Sequence, residues 1–300
     1  VKESIITVEH AGTRLVRKPW GSRNLLPWST MDHDGEAIGE IWFQRASTTA
    51  PDPALLFKLL FANQTLSIQV HPDDVFARSI GLPHGKTEAW YVLAATNDAK
   101  VAVGLKRCLT TQQLRISIED GSISELVRWQ PVQKGDVVFV PAGMIHAIGP
   151  GVVIAEIQQS SDATFRLFDY GRERELHVDN AVAVAQAGPA GRQAPSRRLS
   201  DSRTLLIASP TFVLERIDLA PNSGWDLDAT GETWLLVLEG QAQLGSMHAS
   251  AGEAFFLAAD RAAIETDAVG LTGLVAYVAT EPRSSLLARH SPKQLMEARS

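Results

Sequence analysis

Cysteine is nearly missing from this chain: Cys108 stands alone in 300 residues. No internal disulfide can form, and a reducing cytoplasm is the compartment this composition implies. Long apolar runs are missing as well. No stretch approaches the roughly 18 residues of a membrane-spanning helix, and residues 1–9 lack the apolar core of a signal peptide. Positive charge is not in excess. The formal net charge is -6 and the isoelectric point about 5.8, which argues against nucleic acid or a membrane surface as partner. An anionic small molecule remains open, provided a local basic pocket receives it. What is present is 45% hydrophobic and 21% charged residues, enough to build a sizeable core in one large or two ordinary domains.

Helical signals are also scarce. Residues 73–80 open with acids suited to a helix N-terminus. Residues 110–119 open Thr-Thr-Gln-Gln before a Leu/Ile pattern, and a short segment at 122–129 follows. The tail, 284–298, reads as helical. Strand-like runs dominate instead, at 38–43, 66–70, 89–93, 100–104, 137–140, 152–158 and 164–168, with a second β-rich block from 211 to about 279. Between the blocks, GPAGRQAPSRRLSDS at 188–202 has little to bury and reads as a connector.

The two blocks resemble each other. TEAWYVL at 87–93 aligns with GETWLLV at 231–237, and KGDVVFVP at 134–141 with AGEAFFLA at 251–258. In each, a glycine and an acid turn the chain into a short apolar strand. The expected fold is therefore all-β: two cupin-type jelly-roll barrels with a few short helices, since closing antiparallel strands removes exposed edges. Residues 1–187 would form the first barrel, with N-terminal strands and a helical insert near 110–129. Residues 188–202 would be the connector, and 203–300 a second, degenerate barrel with a C-terminal tail.

The chemistry sits in the first block. In LSIQVHPDD at 66–74, Leu66, Ile68 and Val70 share one strand face while Ser67, Gln69 and His71 share the other. Glu88 adjoins an aromatic-rich strand, and His146 follows the turn 141–145. Imidazole nitrogen and carboxylate oxygen suit zinc or a similar divalent ion, with the Gln69 amide oxygen as a neutral fourth ligand. A lone histidine at a strand end is more often exposed or merely hydrogen-bonded. The repeat shifts that balance: eleven residues from Gly135 reach His146, whereas eleven from Gly252 reach Ala263. Where a Gln-x-His pair would be wanted, the second block has Ser223-Gly224-Trp225-Asp226. It keeps the scaffold and lacks the ligands. His10, His33, His177, His248 and His290 show no partner pattern and read as surface; His84 lies in a Gly/Pro loop.

A second cluster runs EIQQSSDATFRLFDYGR from Glu156 to Arg172. Asp162, Thr164 and Arg166 would share a strand face. That is either a surface ion pair worth about 0 to 1 kcal/mol, or, if it faces the barrel interior, an acid/base beside an anion clamp.

Together, LSIQVHPDD at 66–74, GKTEAWYVL at 85–93, GDVVFVPAGMIHAIG at 135–149 and the 156–172 stretch resemble the type I phosphomannose isomerases, with Trp20-Gly21 and Gly39-Glu40-Ile41-Trp42 fitting too. The resemblance covers most of residues 20–175. It implies interconversion of mannose 6-phosphate and fructose 6-phosphate through an enediol, and one zinc ion per chain held by Gln69, His71, Glu88 and His146. It implies catalytic work at Arg166, with Asp162 and Lys86 as further pocket residues. Ser67, Lys86 and Arg172 would bind substrate. Longer members carry His-Lys-Pro-Glu where this chain has Gly85-Lys86-Thr87-Glu88, so the histidine proposed there as a base is missing, and the chain looks like the short bacterial form. Two rivals stand beside this reading: a non-haem iron oxygenase built on His71, Glu88 and His146 alone, and a sugar-binding barrel without turnover. The phosphosugar is the only partner expected, and the oligomeric state is left open.

Overall fold

The computed structural model describes residues 8–31, 34–46, 51–258 and 260–290. The strand Leu55–Ala62, LLFKLLFA, is the clearest case of sequence dictating position. Every residue in it is buried, so both of its faces meet packed layers. Leu55, Phe57, Leu59 and Phe61 point to one core, and Leu60 and Ala62 to another. Each large apolar side chain buried this way stabilises the fold by about 1.5–3 kcal/mol.

That strand belongs to a six-stranded antiparallel sheet in the order Gly12–Ser22, Ile38–Gln44, Leu55–Ala62, Val152–Gln159, Glu88–Ala95, Val137–Val140. A five-stranded sheet lies across from it, in the order Phe165–Phe168, Ile68–Val70, His146–Ile148, Lys100–Leu105, Val127–Pro131. Trp90, Val92, Leu60 and Ile154 from the first sheet pack against Val101, Val103 and Ile148 from the second. The outer face of the five-stranded sheet (Ile68, Val70, Ala147) is covered by helices Thr111–Glu119, Ile123–Leu126 and Val178–Val184 through Leu114, Ile118, Ile123 and Ala181. Thr110 opens the first of these with a capping box, its hydroxyl accepting from Gln113 N–H while the Gln113 side chain accepts from Thr110 N–H.

A ten-stranded sheet holds the rest, including Val8–His10 from the N-terminal side and the long strands Thr233–Leu244 and Asp260–Tyr277. It has its own core around Trp225, Phe255 and Tyr277, and its other face packs Trp234, Phe256 and Leu274 against Phe57, Tyr91 and Ile157.

The repeat is visible in the pairing. Glu88–Ala95 lies between Val137–Val140 and Val152–Gln159, as Thr233–Leu244 lies between Ala254–Leu257 and Asp260–Tyr277. Asp136 accepts from Gln133 N–H and Glu253 from Ser250 N–H, the same turn in both copies. The registers differ by one residue: Trp90 faces Val138, but Trp234 faces Phe256 where the sequence alignment puts Phe255.

Three expectations are corrected. No sheet among the described residues closes on itself, so the two barrels are not formed as closed structures; the first half is two facing sheets joined by side-chain packing. The segment 122–129 is not one helix: Ile123–Leu126 is helical, and the β-branched Val127 begins the strand Val127–Pro131. Of the tail, Leu287–Arg289 is a strand paired with Gly224–Ala229, and 291–298 lie outside the described residues.

Candidate metal centre and its cavity

Alternation along three neighbouring strands builds one wall. On Leu55–Ala62, Glu88–Ala95 and Val152–Gln159, the residues facing the five-stranded sheet are apolar at one end (Leu60, Val92, Ile154). At the other end of that face stand Lys58, Glu88 and Glu156, all buried. Register fixes their neighbourhood: Glu156 lies between Lys58 and Trp90, and Gln158 beside Glu88. The opposing wall comes from Ile68–Val70, where Gln69 is flanked by His146 on one side and Arg166 on the other. His146 is delivered by the turn before it, where Gly143 takes φ +83 and donates its N–H to the His71 carbonyl at 2.8 Å.

The ligand atoms of His71, Glu88 and His146 all lie within 4.8 Å of one another. His71 Nδ1–H donates to the Ala163 carbonyl and His146 Nδ1–H to the Met144 carbonyl, each at 2.8 Å. Both Nε2 lone pairs are thereby turned to the Glu88 carboxylate, at 3.4 and 3.3 Å. Burial, reinforced by the Lys86 charge, lowers the His71 pKa to about 3, and burial lowers that of His146. Burial pushes the Glu88 carboxyl up, but the Lys86 charge beside it outweighs this and holds it well below the usual carboxylate range. Neutral imidazoles and an ionised carboxylate are the protonation states a metal needs. His71 Nε2 is buried without a hydrogen bond, and the Glu88 Oε2 that faces it has the Lys86 ammonium at 3.1 Å as its partner, an arrangement that suits a cation. The residues fit a divalent metal.

Gln69 is placed beside this group, with Nε2 3.2 Å from His146 Nε2 and Oε1 accepting from the Ser67 hydroxyl at 3.0 Å. Presenting Oε1 to a metal requires the amide to turn over.

The centre opens into a cavity of about 200 Å³. Ser67, Gln69, Lys86, Glu88, Asp162 and Arg166 are among the residues that line it. Asp162 and Thr164 lie ahead of the strand Phe165–Phe168 rather than on it, and no ion pair joins Asp162 to Arg166. Arg166 donates to the Glu175 carbonyl at 2.7 Å, and its Nε is a buried donor without a hydrogen bond. Arg172 is absent from the cavity wall; its guanidinium is held by Asp169 at 3.0 Å and the Thr65 carbonyl at 2.9 Å. Arg174, gripped by the same Asp169, reaches the wall.

Sequence reasoning passed over the charge ladder on the wall. Lys86 stands 3.1 Å from Glu88 and 3.9 Å from Glu156; Lys58 stands 3.7 Å from Glu156 and 3.8 Å from Glu40; Lys18 is 3.6 Å from Glu40. Burial together with the Glu88 charge raises the Glu156 pKa to about 7, against the pull of Lys86 and Lys58. One signal was available: a single lysine inside LLFKLLFA, which must find buried carboxylates. Three histidines read as surface are engaged: His10 pairs with Glu253 at 3.2 Å, and two others are held further in. His290 sits between Asp226 at 3.0 Å and Glu265 at 3.2 Å, and His177 accepts from Arg166 N–H. His33 lies outside the described residues.

No protein-family model matches the chain. In sequence it is 38% identical over 168 residues to the mannose-6-phosphate isomerase of Streptococcus mutans, covering 53% of either chain. It is 42% identical over 139 residues to the mannose-6-phosphate isomerase ManA of Bacillus subtilis, covering 44% of either. Over about half of its length the chain is similar in sequence to bacterial mannose-6-phosphate isomerases. The match spans about half the length of the curated isomerases. In fold, the mannose 6-phosphate isomerase of Bacillus subtilis superposes with TM-score 0.78 at 23% identity, over 90% of this chain and 99% of that one. The apo mannose 6-phosphate isomerase of Salmonella typhimurium gives 0.72 at 17%, over 91% and 100%. Beyond the stretch aligned in sequence, the likeness is one of fold. Among the described residues, no helix is long and apolar enough to cross a membrane.

Proposed function

We propose that this chain interconverts mannose 6-phosphate and fructose 6-phosphate through an enediol, using one zinc ion per chain. The observation that carries the reading is the convergence of two neutral imidazoles and a carboxylate, the His71 Nε2 without a hydrogen bond, beside a cavity lined by both charges. His71, Glu88, His146 and Gln69 would hold the metal. When bound, a divalent ion supplies Lewis-acid stabilisation of oxygen charge and orients substrate oxygens.

Moving a carbonyl between C1 and C2 takes a proton from one carbon and returns it to the other. Arg166 brings a guanidinium with an unsatisfied N–H to the wall, suited to the negative oxygen that develops in the enediolate. Asp162, on the wall and exposed, is the acid/base candidate. Ser67 offers a hydroxyl to the sugar, and Lys86 with Arg174 supplies positive charge toward the 6-phosphate; Arg172 would act through the Asp169 it shares with Arg174. We divide the chain into a catalytic part at 1–187, a connector at 188–202 and a second cupin-like part at 203–300, and place it in the cytoplasm.

Fructose 6-phosphate formation from mannose 6-phosphate, lost on chelation and restored by zinc, is the deciding assay. The facial set of two histidines and a glutamate also fits non-haem iron chemistry; iron in the purified protein with oxygen uptake would favour that reading.

A further inference from the structure

The segment that delivers Lys86 and Glu88 to the site runs between the helix Asp74–Ser79 and the end of the strand Val152–Gln159. Its backbone is held from both sides. Gly85 N–H donates to Asp74 Oδ1 at 2.8 Å, and the Gln159 amide nitrogen donates to the same oxygen at 3.0 Å. Gln159 Oε1 accepts from Thr87 N–H at 2.9 Å, and Gln159 N–H donates to the Thr87 carbonyl at 3.1 Å. Lys86 N–H is taken up by the Pro72 carbonyl at 2.9 Å. The amide has only one workable orientation, because reversal would set donor on donor at Thr87 and lone pair on carboxylate at Asp74. The fit at Gly85 is equally close: a Cβ there would fall 2.4–2.6 Å from the backbone of Pro72, Asp73 and Asp74. Neither Asp74 nor Gln159 lines the cavity.

We propose that Asp74 and Gln159 are positioning residues, which through the backbone of Gly85 and Thr87 fix where Lys86 and Glu88 enter the site. They set the grip on metal and substrate while touching neither. Outer hydrogen bonds of this kind typically change metal affinity or activity by about 10–100-fold when removed. The kinetic part rests on the isomerase reading; the metal part does not.

The test uses the full chain, with zinc affinity by competition against a chromogenic chelator, the melting temperature of the metal-free protein, and isomerase kcat and KM. Gln159→Glu keeps an acceptor for Thr87 N–H but faces Asp74 with a second carboxylate. Zinc affinity is expected to fall by about tenfold or more, with kcat falling further than KM rises and the metal-free melting temperature near that of the parent. Adding Asp74→Asn removes the repulsion between the two carboxylates but, because Gly85 N–H and residue 159 meet the same Asp74 oxygen, restores only one of the two contacts, so zinc affinity is expected to recover in part. Parental zinc affinity in Gln159→Glu overturns the proposal. So does a single variant that fails to fold while the double variant folds and binds as the parent does, since the contact would then be a structural latch. A double variant that folds but binds zinc no better than Gln159→Glu overturns it too. If the parent binds zinc and does not isomerise, the isomerase reading alone fails, and the affinity comparison still decides the positioning role.

Discussion

His71 Nε2 and Glu88 Oε2 face each other at 3.4 Å in the buried interior, the imidazole nitrogen without a hydrogen bond. With Nδ1–H committed to the Ala163 carbonyl, the facing atoms are lone pair against lone pair. Glu88 Oε2 also has the Lys86 ammonium at 3.1 Å, and a metal ion between the two facing atoms would remove the conflict that is left.

Glu88→Gln should therefore lose zinc. The amide keeps the shape but carries no charge, so metal content measured by mass spectrometry should drop from about one per chain to near zero. Zinc at 100 times its dissociation constant should stabilise the parent by about 2.7 kcal/mol, read as a rise in melting temperature that this variant lacks.

Arg166→Ala removes a guanidinium that contacts none of the metal ligands but lines the cavity. Isomerase turnover should fall by at least about 10²-fold with metal content unchanged. Loss of metal in this variant would show that Arg166 supports the centre instead.

Gly85→Ala should destabilise the chain by about 1–3 kcal/mol, because a Cβ would overlap backbone atoms that no side-chain rotation can move. Denaturant unfolding checks this. The same overlap bars a histidine at 85, the residue of the longer relatives' pattern, without a backbone shift.

Glu156 gives a pH dependence. Its folded pKa, about 7, lies above the ordinary 4.5, so the folded state binds a proton that the unfolded state has released between those values. Its contribution to stability is fully present below about 4.5 and is lost as pH rises through about 7. Glu156→Gln should flatten the slope of stability against pH in that window, measured on metal-free protein by urea unfolding at several pH values.

Period-two patterning made much of this molecule legible in one dimension. Ser67, Gln69 and His71 had to share a face, and the count from Gly135 to His146 had no counterpart from Gly252, so His71, Glu88 and His146, which the fold brings together, could be singled out before any fold was known. Side-chain alternation is a local property of extended backbone, and local properties survive in sequence. Sheet closure, the partners of Lys58, the turning of Arg172 onto Asp169 and the bracing of Gly85 by Asp74 and Gln159 were not legible. Each depends on which strands lie side by side and in what register, a choice made by burial across contacts distant along the chain. The sequence determined which groups would be available; packing decided which of them meet.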